Sequence, residues 1–188
     1  MIQKIQQGFT LIETLIAVLI LTTAITGPLT IASKGLTATL IAKDQISAFY
    51  LAQDAVEYVR FLRDSACLAA GAPVGGCAAE VWLSSLTACT SAGGGTACYF
   101  DSLAQNPATP ATCAGDCPVM RYDTASHAFN YNGSATPTPQ KFTRTVTINN
   151  DPSGPAPDEA ILTVTVTWAN LAGITHTAVV RENILRWQ

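Results

Sequence analysis

A lone carboxylate lies close to the N-terminus, inside a segment that is otherwise apolar. The segment GFTLIETLIAVLI runs from Gly8 to Ile20, and its one charged residue is Glu13. No further charge occurs from Thr14 to Ser33. Because intramembrane acids are costly and are rarely kept without a role, we interpret Glu13 as a functional residue rather than a chance acid.

Cysteines are the second group of residues that could do chemistry. The chain has 6 cysteines, all in one central, loop-rich window. An even number in such a window predicts disulfides in an oxidising compartment. A thiolate zinc site is the alternative, but it favours closely paired cysteines, and only Cys113 and Cys117 have that spacing, with no histidine near them.

Nearest-neighbour pairing is our prediction among the roughly 15 pairings that six cysteines allow. We favour Cys89–Cys98 most, because apolar residues on both sides could form a small cluster around it. The predicted disulfides are Cys67–Cys77, Cys89–Cys98 and Cys113–Cys117, and the flanking apolar residues are Trp82, Leu83, Leu86, Tyr99 and Phe100.

The sequence gives no indication of an enzyme. The 2 histidines, His127 and His176, each lie in a predicted strand and outside any catalytic motif. The GxSxG, HExxH, P-loop and GxGxxG patterns are absent. The glycine-rich stretch SAGGGTAC lacks the lysine and the strand–loop–helix setting that phosphate binding requires.

One loop collects acids that could hold a cation. Asp151, Asp158 and Glu159 lie in DPSGPAPDE, between two predicted strands. The spacing does not match an EF-hand, and the prolines limit the loop's geometry. We expect no cofactor and no metal, with calcium at these three acids as the alternative.

The charge composition restricts the kind of partner. The net charge is -3, and charged residues make up 12% of the chain. A near-neutral chain without a basic cluster argues against a nucleic-acid partner. The low share of charge predicts a surface that partly meets lipid or protein.

The apolar run itself predicts a membrane-spanning helix. A helix from Thr14 to Ser33 would be about 30 Å long, which matches the hydrocarbon core of a bilayer. Lys4 precedes the run, on the side expected to stay cytoplasmic. A cleaved secretory signal fits poorly because no small-residue site follows the run. A plain signal anchor fits better, but leaves Gly8 and Glu13 unexplained.

The sequence MIQKIQQ-GFTLIE resembles the N-terminal signature of type IV prepilins and of the pseudopilins of type II secretion. In that family a short basic leader ends in glycine, the mature chain commonly begins with phenylalanine, and its fifth residue is glutamate. The resemblance assigns these roles to Gly8, Phe9 and Glu13. The stretch Ala48–Ser65 is similar to the helix end of PilV-type minor pilins.

The resemblance implies a processing and assembly route. A prepilin peptidase would cut between Gly8 and Phe9 and methylate the new N-terminus. Glu13 would pair with that amine in a neighbouring subunit and fix the register. The implied partners are other pilin subunits, the peptidase and an inner-membrane assembly platform. The implied location is the inner membrane, single-pass with the head outside the cytoplasm, and then a filament.

The pattern of apolar residues predicts a long helix from about Phe9 to about Asp64. Its later part is amphipathic, and charged residues at the same spacing predict Arg60–Glu57 and Arg60–Asp64 ion pairs. Gly27-Pro28 predicts a kink or local unwinding. The apolar stripe consists of Ile46, Phe49, Ala52, Val56, Val59 and Leu62.

A two-residue period beyond Pro118 predicts antiparallel strands. VMRYD and HAFNY form a hairpin, and three further strands form a meander that packs on the helix stripe. These three predicted strands are Phe142–Asn149, Ala160–Trp168 and Ile174–Trp187, the last of them broken near Glu182.

We therefore expect an α+β, pilin-like fold with a disulfide-stapled loop between helix and sheet. The expected division is a leader at 1–8, a helix at 9–64 with its membrane or filament part at about 9–33, a cysteine-rich region at 65–118 and a sheet head at 119–188. The expected function is a minor pilin or pseudopilin. The alternative is a membrane-anchored extracytoplasmic module that binds a ligand or surface.

Overall fold

A computed structural model describes residues 8, 10–71, 76–90, 95–103, 108–131, 142–150, 158–170 and 173–186. The chain divides into two compact units, Met1–Lys43 and Asp44–Gln188. The first unit is helical from Leu11 onward, and we call the second unit the head.

A single α-helix, α1, spans Leu11–Ala69. Its first part is an apolar run in which leucine and alanine are mixed with β-branched residues, and its later part continues beyond Asp64 to Ala69. Pro28 lies inside the helix, and the residues on both sides of it are helical. The helical assignment is thus continuous at Gly27-Pro28, and a kink there remains a prediction.

The head contains a 7-stranded sheet in the described residues, and all its strand pairs are antiparallel. The predicted α+β, pilin-like class is confirmed. The strands are β1 (Cys98–Tyr99), β2 (Ala111–Thr112), β3 (Val119–Asp123), β4 (Ala128–Asn130), β5 (Phe142–Asn150), β6 (Glu159–Ala169) and β7 (Thr175–Leu185).

The longest three strands form the predicted meander. Val146 of β5 pairs with Val164 of β6, which pairs with Val180 of β7. The expected break near Glu182 is wrong, because β7 is continuous from Thr175 to Leu185. Its predicted last residue, Trp187, lies outside the described residues.

The predicted hairpin is confirmed as β3 and β4, with Tyr122 opposite Phe129. His127 lies in the turn and not in a strand, with a φ of 54°. A left-handed conformation of this kind ends a strand, so the second strand begins one residue later than predicted. His176 lies in β7 as predicted and stacks on Trp168, with ring centroids 5.5 Å apart.

The helix packs on the sheet through a stripe that is shifted from the predicted one. Ala52, Val56, Val59 and Leu62 are buried as expected, whereas Ile46 and Phe49 are exposed. The start of the head helix has apolar residues on two faces, so periodicity alone selects the wrong face there. The residues that complete the buried stripe are Ala48, Leu51, Ala55 and Tyr58.

The cysteine-rich region is more regular and better packed than predicted. It contains a 3₁₀ helix, Ser84–Cys89, together with β1 and β2. Trp82, Leu86 and Phe100 are buried, and they belong to the main core rather than to a separate small cluster. Gly95 permits this packing, since a Cβ there would lie 2.8 Å from the backbone nitrogen of Ile148.

The disulfides are the three pairs that nearest-neighbour pairing predicts. They join Cys67 to Cys77, Cys89 to Cys98 and Cys113 to Cys117. The first ties the end of α1 to the following connection, and the second ties the 3₁₀ helix to β1. Cys89 and Cys98 are fully buried, so this disulfide also fills part of the core.

Candidate functional site

The start of α1 is built around Thr10. The Thr10 side-chain oxygen accepts a hydrogen bond of 3.3 Å from the backbone N–H of Glu13, and the Thr10 carbonyl accepts from the same N–H at 3.1 Å. Thr10 is therefore the N-cap of a helix that begins at Leu11, and Glu13 is its third residue. Threonine followed by glutamate at this spacing is the capping-box pattern.

The position of Glu13 in the first turn of α1 gives its side chain a local role that was not predicted. An acid in the first turn of a helix interacts favourably with the helix dipole. The signal was present in the sequence as Thr10-x-x-Glu13. Gly8 is exposed, and Phe9 lies outside the described residues, so the contact between Glu13 and the amine at Phe9 remains a prediction.

The first unit exposes a largely apolar run from Leu11 to Ser33 that contains one charged residue, Glu13. Among the described residues, α1 is a helix long and apolar enough to cross a membrane, and none of its most apolar window is buried. By length and composition alone, a signal sequence would satisfy the same criterion. The first unit therefore requires an apolar partner, which is lipid or protein.

Hydroxyl groups in this unit are bonded within the helix. Each threonine or serine from Leu11 to Lys43 donates to a carbonyl three or four residues earlier, as Thr30 does to Gly27 at 2.7 Å. Hydroxyls bonded in this way add little cost in an apolar environment. The same pattern holds for Thr14, Thr22, Thr23, Thr26, Ser33, Thr37 and Thr39.

Ion pairs connect the helix to the sheet of the head. Arg60 binds Glu57 at 2.9 Å and also binds Glu182 of β7. The hydrogen bond that Arg60 donates to the Glu182 carboxylate raises the pKa of Arg60. Asp64 binds Arg63 at 2.8 Å instead of forming the predicted pair with Arg60. Arg60 therefore forms one ion pair within the helix, with Glu57, and one with the sheet, with Glu182.

Arg144 is the most deeply buried cation of the described head. It donates to the carbonyls of Leu51 and Phe100 and to the carboxylate of Asp54, at 3.1, 2.9 and 2.7 Å. Its side chain has no solvent exposure, and its guanidinium carbon lies 5.2 Å from the centre of the Phe100 ring. Arg144 therefore joins the helix, the cysteine-rich region and β5.

The role of Arg144 was not predicted, although the sequence contains a signal for it. The inward-facing residues of β5 are every second residue from Phe142, and Arg144 is the cation among them. Neither its Nε nor the Tyr131 hydroxyl has a hydrogen-bond partner in the described part of the chain. Burial raises the pKa of Tyr131, and the nearby Arg144 opposes that rise.

The acids proposed as a calcium alternative have other partners where they are described. Asp158 binds Arg186 at 2.6 Å, and Glu159 accepts a hydrogen bond from Asn183 at 2.5 Å. Asp151 lies outside the described residues. In the described segments no group of three metal-ligating side chains comes together.

Two of the cavities on the surface of the head are lined by described residues. The first, of about 300 Å³, is lined by apolar and polar residues that include Tyr50, Phe129 and Asp54. The second, of about 340 Å³, lies between the helix and β7, where Val56 and Val180 face Glu57 and Glu182. Neither contains a histidine or a cysteine that could act as a nucleophile or base.

Comparison with known proteins identifies the N-terminal segment. Residues 3–27 match the family described as the prokaryotic N-terminal methylation motif. Searches of curated proteins and of solved structures found no match to the chain. The match includes Gly8, Thr10, Glu13 and the first turns of α1. The chain thus carries the methylation motif that is typical of type IV pilin-like proteins.

Proposed function

We propose that the chain is a structural subunit of a type IV pilus or of a type II secretion-like filament. The observation that carries this proposal is the methylation motif at residues 3–27. It coincides with the start of a long exposed apolar helix, on a chain whose head is stapled by disulfides. The role is structural rather than enzymatic, and it requires no cofactor. Calcium at the Asp151–Glu159 loop is the untested alternative.

Processing at the leader is the first step. Prepilin peptidase cuts between Gly8 and Phe9, removes residues 1–8 and methylates the amine of Phe9. The mature subunit stays in the inner membrane with its head outside the cytoplasm. Mass spectrometry of the protein from cells should find N-methylated Phe9 as the first residue. A mature chain that retains residues 1–8, or begins elsewhere, would contradict the proposal.

Glu13 then fixes the register between subunits by pairing with the Phe9 amine of a neighbour. An uncompensated charge within a bilayer costs roughly 2.5–3.5 kcal/mol on insertion scales, which favours such a pair. Glu13→Ala should be inserted and processed normally but should be missing from filaments. Glu80→Ala, at an exposed acid of the head, is the control that retains this pair. Normal assembly of Glu13→Ala would remove the register role.

The finer assignment is a minor, PilV-type subunit, which the similarity of Ala48–Ser65 supports. Its partners are other pilins, the peptidase and the membrane assembly platform. The proposed division into regions is a leader at 1–8, a helical region at 9–64, a cysteine-rich region at 65–118 and a sheet region at 119–188, and α1 extends into the cysteine-rich region as far as Ala69. Quantitative mass spectrometry of sheared filaments should find this chain at a small fraction of the major subunit.

A membrane-anchored binding module is the second candidate, and the cavity of about 300 Å³ on the head supports it. Tyr50 and Phe129 offer apolar and aromatic contacts beside the polar Asp54 and Ser102. If the chain is such a module, Glu13→Ala should leave ligand binding intact. Phe129→Ala, which opens the cavity, should abolish ligand binding.

A further inference from the structure

The head sheet has three edge strands in the described part of the chain, β2, β4 and β7, and they differ in length. β2 and β4 have 2 and 3 residues. β7 has 11 residues and pairs with β6 alone among the described strands. Short edge strands protect a sheet against pairing with another chain, whereas a long edge strand presents a row of unpaired backbone N–H and C=O groups.

The β7 edge is regular along its length. β7 pairs with β6 without a gap from its first residue to its last. Its sequence, THTAVVRENIL, contains neither proline nor glycine, which are the residues that most often interrupt or bend a strand. The Leu185 carbonyl accepts a hydrogen bond of 3.1 Å from Arg63, so α1 holds this end of the strand. The stretch 175–184 is therefore a uniform template for one further strand.

The residues of β7 that face the helix stay partly exposed where their partners on β6 are fully buried. Val180 lies opposite Val164, and Glu182 lies opposite Leu162. Val164 and Leu162 have no solvent exposure, whereas Val180 and Glu182 are half-buried. A strand beyond β7 would complete the cover of this face in the way that β7 covers β6.

The cavity of about 340 Å³ lies beside this edge, between α1 and β7. Its wall consists of Gln53, Val56 and Glu57 from the helix and of Val180 and Glu182 from the strand. Neighbouring strands lie about 4.8 Å apart and direct alternate side chains to one face. The inward side chains of a strand added to β7 would therefore enter this cavity.

The charge beside the cavity favours a basic side chain. Arg60 is shared between Glu57 and Glu182, so these three residues carry one uncompensated negative charge. Glu182 is also an inward-facing charge on an edge strand, which acts against pairing with an arbitrary strand. An apolar residue beside Glu182 would exclude water from its carboxylate, whereas a lysine would pack its aliphatic part on apolar atoms and pair with the carboxylate.

We infer that the β7 edge binds an extended segment of another protein, which adds a strand to the sheet. The segment has an apolar residue beside Val180 and, two residues away, a lysine or arginine beside Glu182. Backbone hydrogen bonds to β7 supply the affinity, and the cavity selects apolar and basic residues at alternate positions. This binding site lies wholly on the head, and it requires neither cleavage at Gly8 nor a neighbouring copy.

Titration of the full chain in detergent with synthetic peptides tests the site. The peptides are capped and have 11 residues, the length of β7. The first, TVTVTKTVTVT, has a lysine between valines on one face, and the second, TVTVTETVTVT, has glutamate in its place. Both patterns read the same in either direction, so they test both strand orientations. The third, TVTVKTTVTVT, has the composition of the first but carries its lysine on the opposite face.

Amide hydrogen exchange in β7 and fluorescence anisotropy of the labelled peptide measure the binding. Alternate residues of β7 direct their backbone groups to β6, and the others direct them to the open edge. We expect the first peptide to slow exchange in the edge-facing set. It should bind about fivefold more tightly than the second or the third peptide, which is the scale of an exposed ion pair.

Glu182→Gln should remove the preference for lysine over glutamate, because Arg60 then pairs with Glu57 alone. Glu80→Gln, at an exposed acid outside the cavity, is the matched control and should retain the preference. No binding of the first peptide, equal binding of the first two to the native chain, or binding without slower exchange in β7 would overturn the inference.

A second copy of the chain is the other occupant that the same experiment detects. Slow exchange of the edge-facing set without peptide, together with the mass of a dimer in light scattering, would show that copies pair through β7 and would also overturn the inference. None of these results bears on the N-methylated Phe9 that tests the proposed function.

Discussion

Thr10 and Glu13 show how one acid can serve two roles at a helix start. The Thr10 side chain accepts a hydrogen bond from the backbone N–H of Glu13, which this N–H shares with the Thr10 carbonyl. Glu13 then stabilises the same turn through its charge. Any pairing with a neighbouring amine therefore acts on a carboxylate whose helix is already capped.

Thr10→Ala should loosen the first turn of α1. Loss of an N-cap side chain costs about 0.5–2 kcal/mol. Hydrogen exchange in detergent should become faster at Leu11 to Glu13 and remain unchanged in the head. Thr10→Ser should behave as the native chain, and Thr14→Ala is the control because its hydroxyl bonds to a carbonyl. Unchanged exchange in Thr10→Ala would show that this cap contributes nothing.

Arg144 should be the most sensitive cation of the head. Arg144→Met removes three hydrogen bonds and leaves Asp54 without its cation, so we expect a loss of about 3 kcal/mol in unfolding free energy. Denaturant unfolding of the head measures it. Arg181→Met, at an exposed residue of β7, should change stability by less than about 0.5 kcal/mol. A neutral Arg144→Met would mean that apolar packing replaces the buried charge fully.

Asp123 should titrate below its ordinary value. The backbone N–H of Ala125 and the hydroxyl of Ser126 donate to its carboxylate and lower its pKa from 3.8. Because its pKa is lower in the folded state, ionised Asp123 stabilises the turn at pH values above the ordinary pKa of an aspartate. This stabilisation is lost as the pH falls through the folded-state pKa. NMR titration should show a low midpoint, which Ser126→Ala raises. An unchanged midpoint in Ser126→Ala would exclude the hydroxyl as a cause.

At the scale of elements, the disulfides hold a region that has little regular structure. The cysteine-rich region contains one short 3₁₀ helix and two strands of two residues each. Its apolar residues nevertheless join the main core. The covalent links therefore fix segments whose own secondary structure is too short to be stable.

Removal of Cys89–Cys98 should be more destabilising than removal of Cys113–Cys117. The first link closes the longer loop and lies fully buried, whereas Cys113 is only partly buried. Loss of a native disulfide costs about 2–5 kcal/mol, and the cost rises with loop length. Urea unfolding of the double alanine variants measures both values. Equal losses would show that burial of the cystine has no effect.

Long elements could be predicted from the sequence, and short ones could not. The long strands β5, β6 and β7 were predictable because alternation over many residues distinguishes a strand from a helix. The two-residue strands β1 and β2 were not, because they exist only through pairing with each other and with β5. The buried face of α1 was predictable only where one side of the helix is apolar, from Ala52 onward.

At the scale of the whole molecule, the two units have different requirements. The head, Asp44–Gln188, encloses the hydrophobic core. The first unit buries none of its most apolar window. Hydropathy was enough to predict this difference between the two units. The residues through which subunits contact one another could not be predicted, because those contacts lie outside a single chain.

The head should fold without the first unit. A chain of residues 44–188, produced under oxidising conditions, should be soluble and should unfold in urea within about 1 kcal/mol of the full chain in detergent, since the head has a hydrophobic core of its own. Near-UV circular dichroism should retain the signal of the buried tryptophan residues. Aggregation or loss of that signal would show that the head depends on the first unit.

The bonded hydroxyls of the first unit have a consequence for how a subunit changes surroundings. Each hydroxyl donor there stays bonded to its own backbone, as Thr23 does to Leu19 at 3.0 Å. Transfer from lipid into a protein bundle then exchanges no donor bond, and shape and dispersion decide the free energy of the transfer. The stretch from Leu11 to Ser33 therefore suits lipid and protein equally well, except at Glu13, its one charged residue, whose carboxylate is sensitive to the medium it has entered.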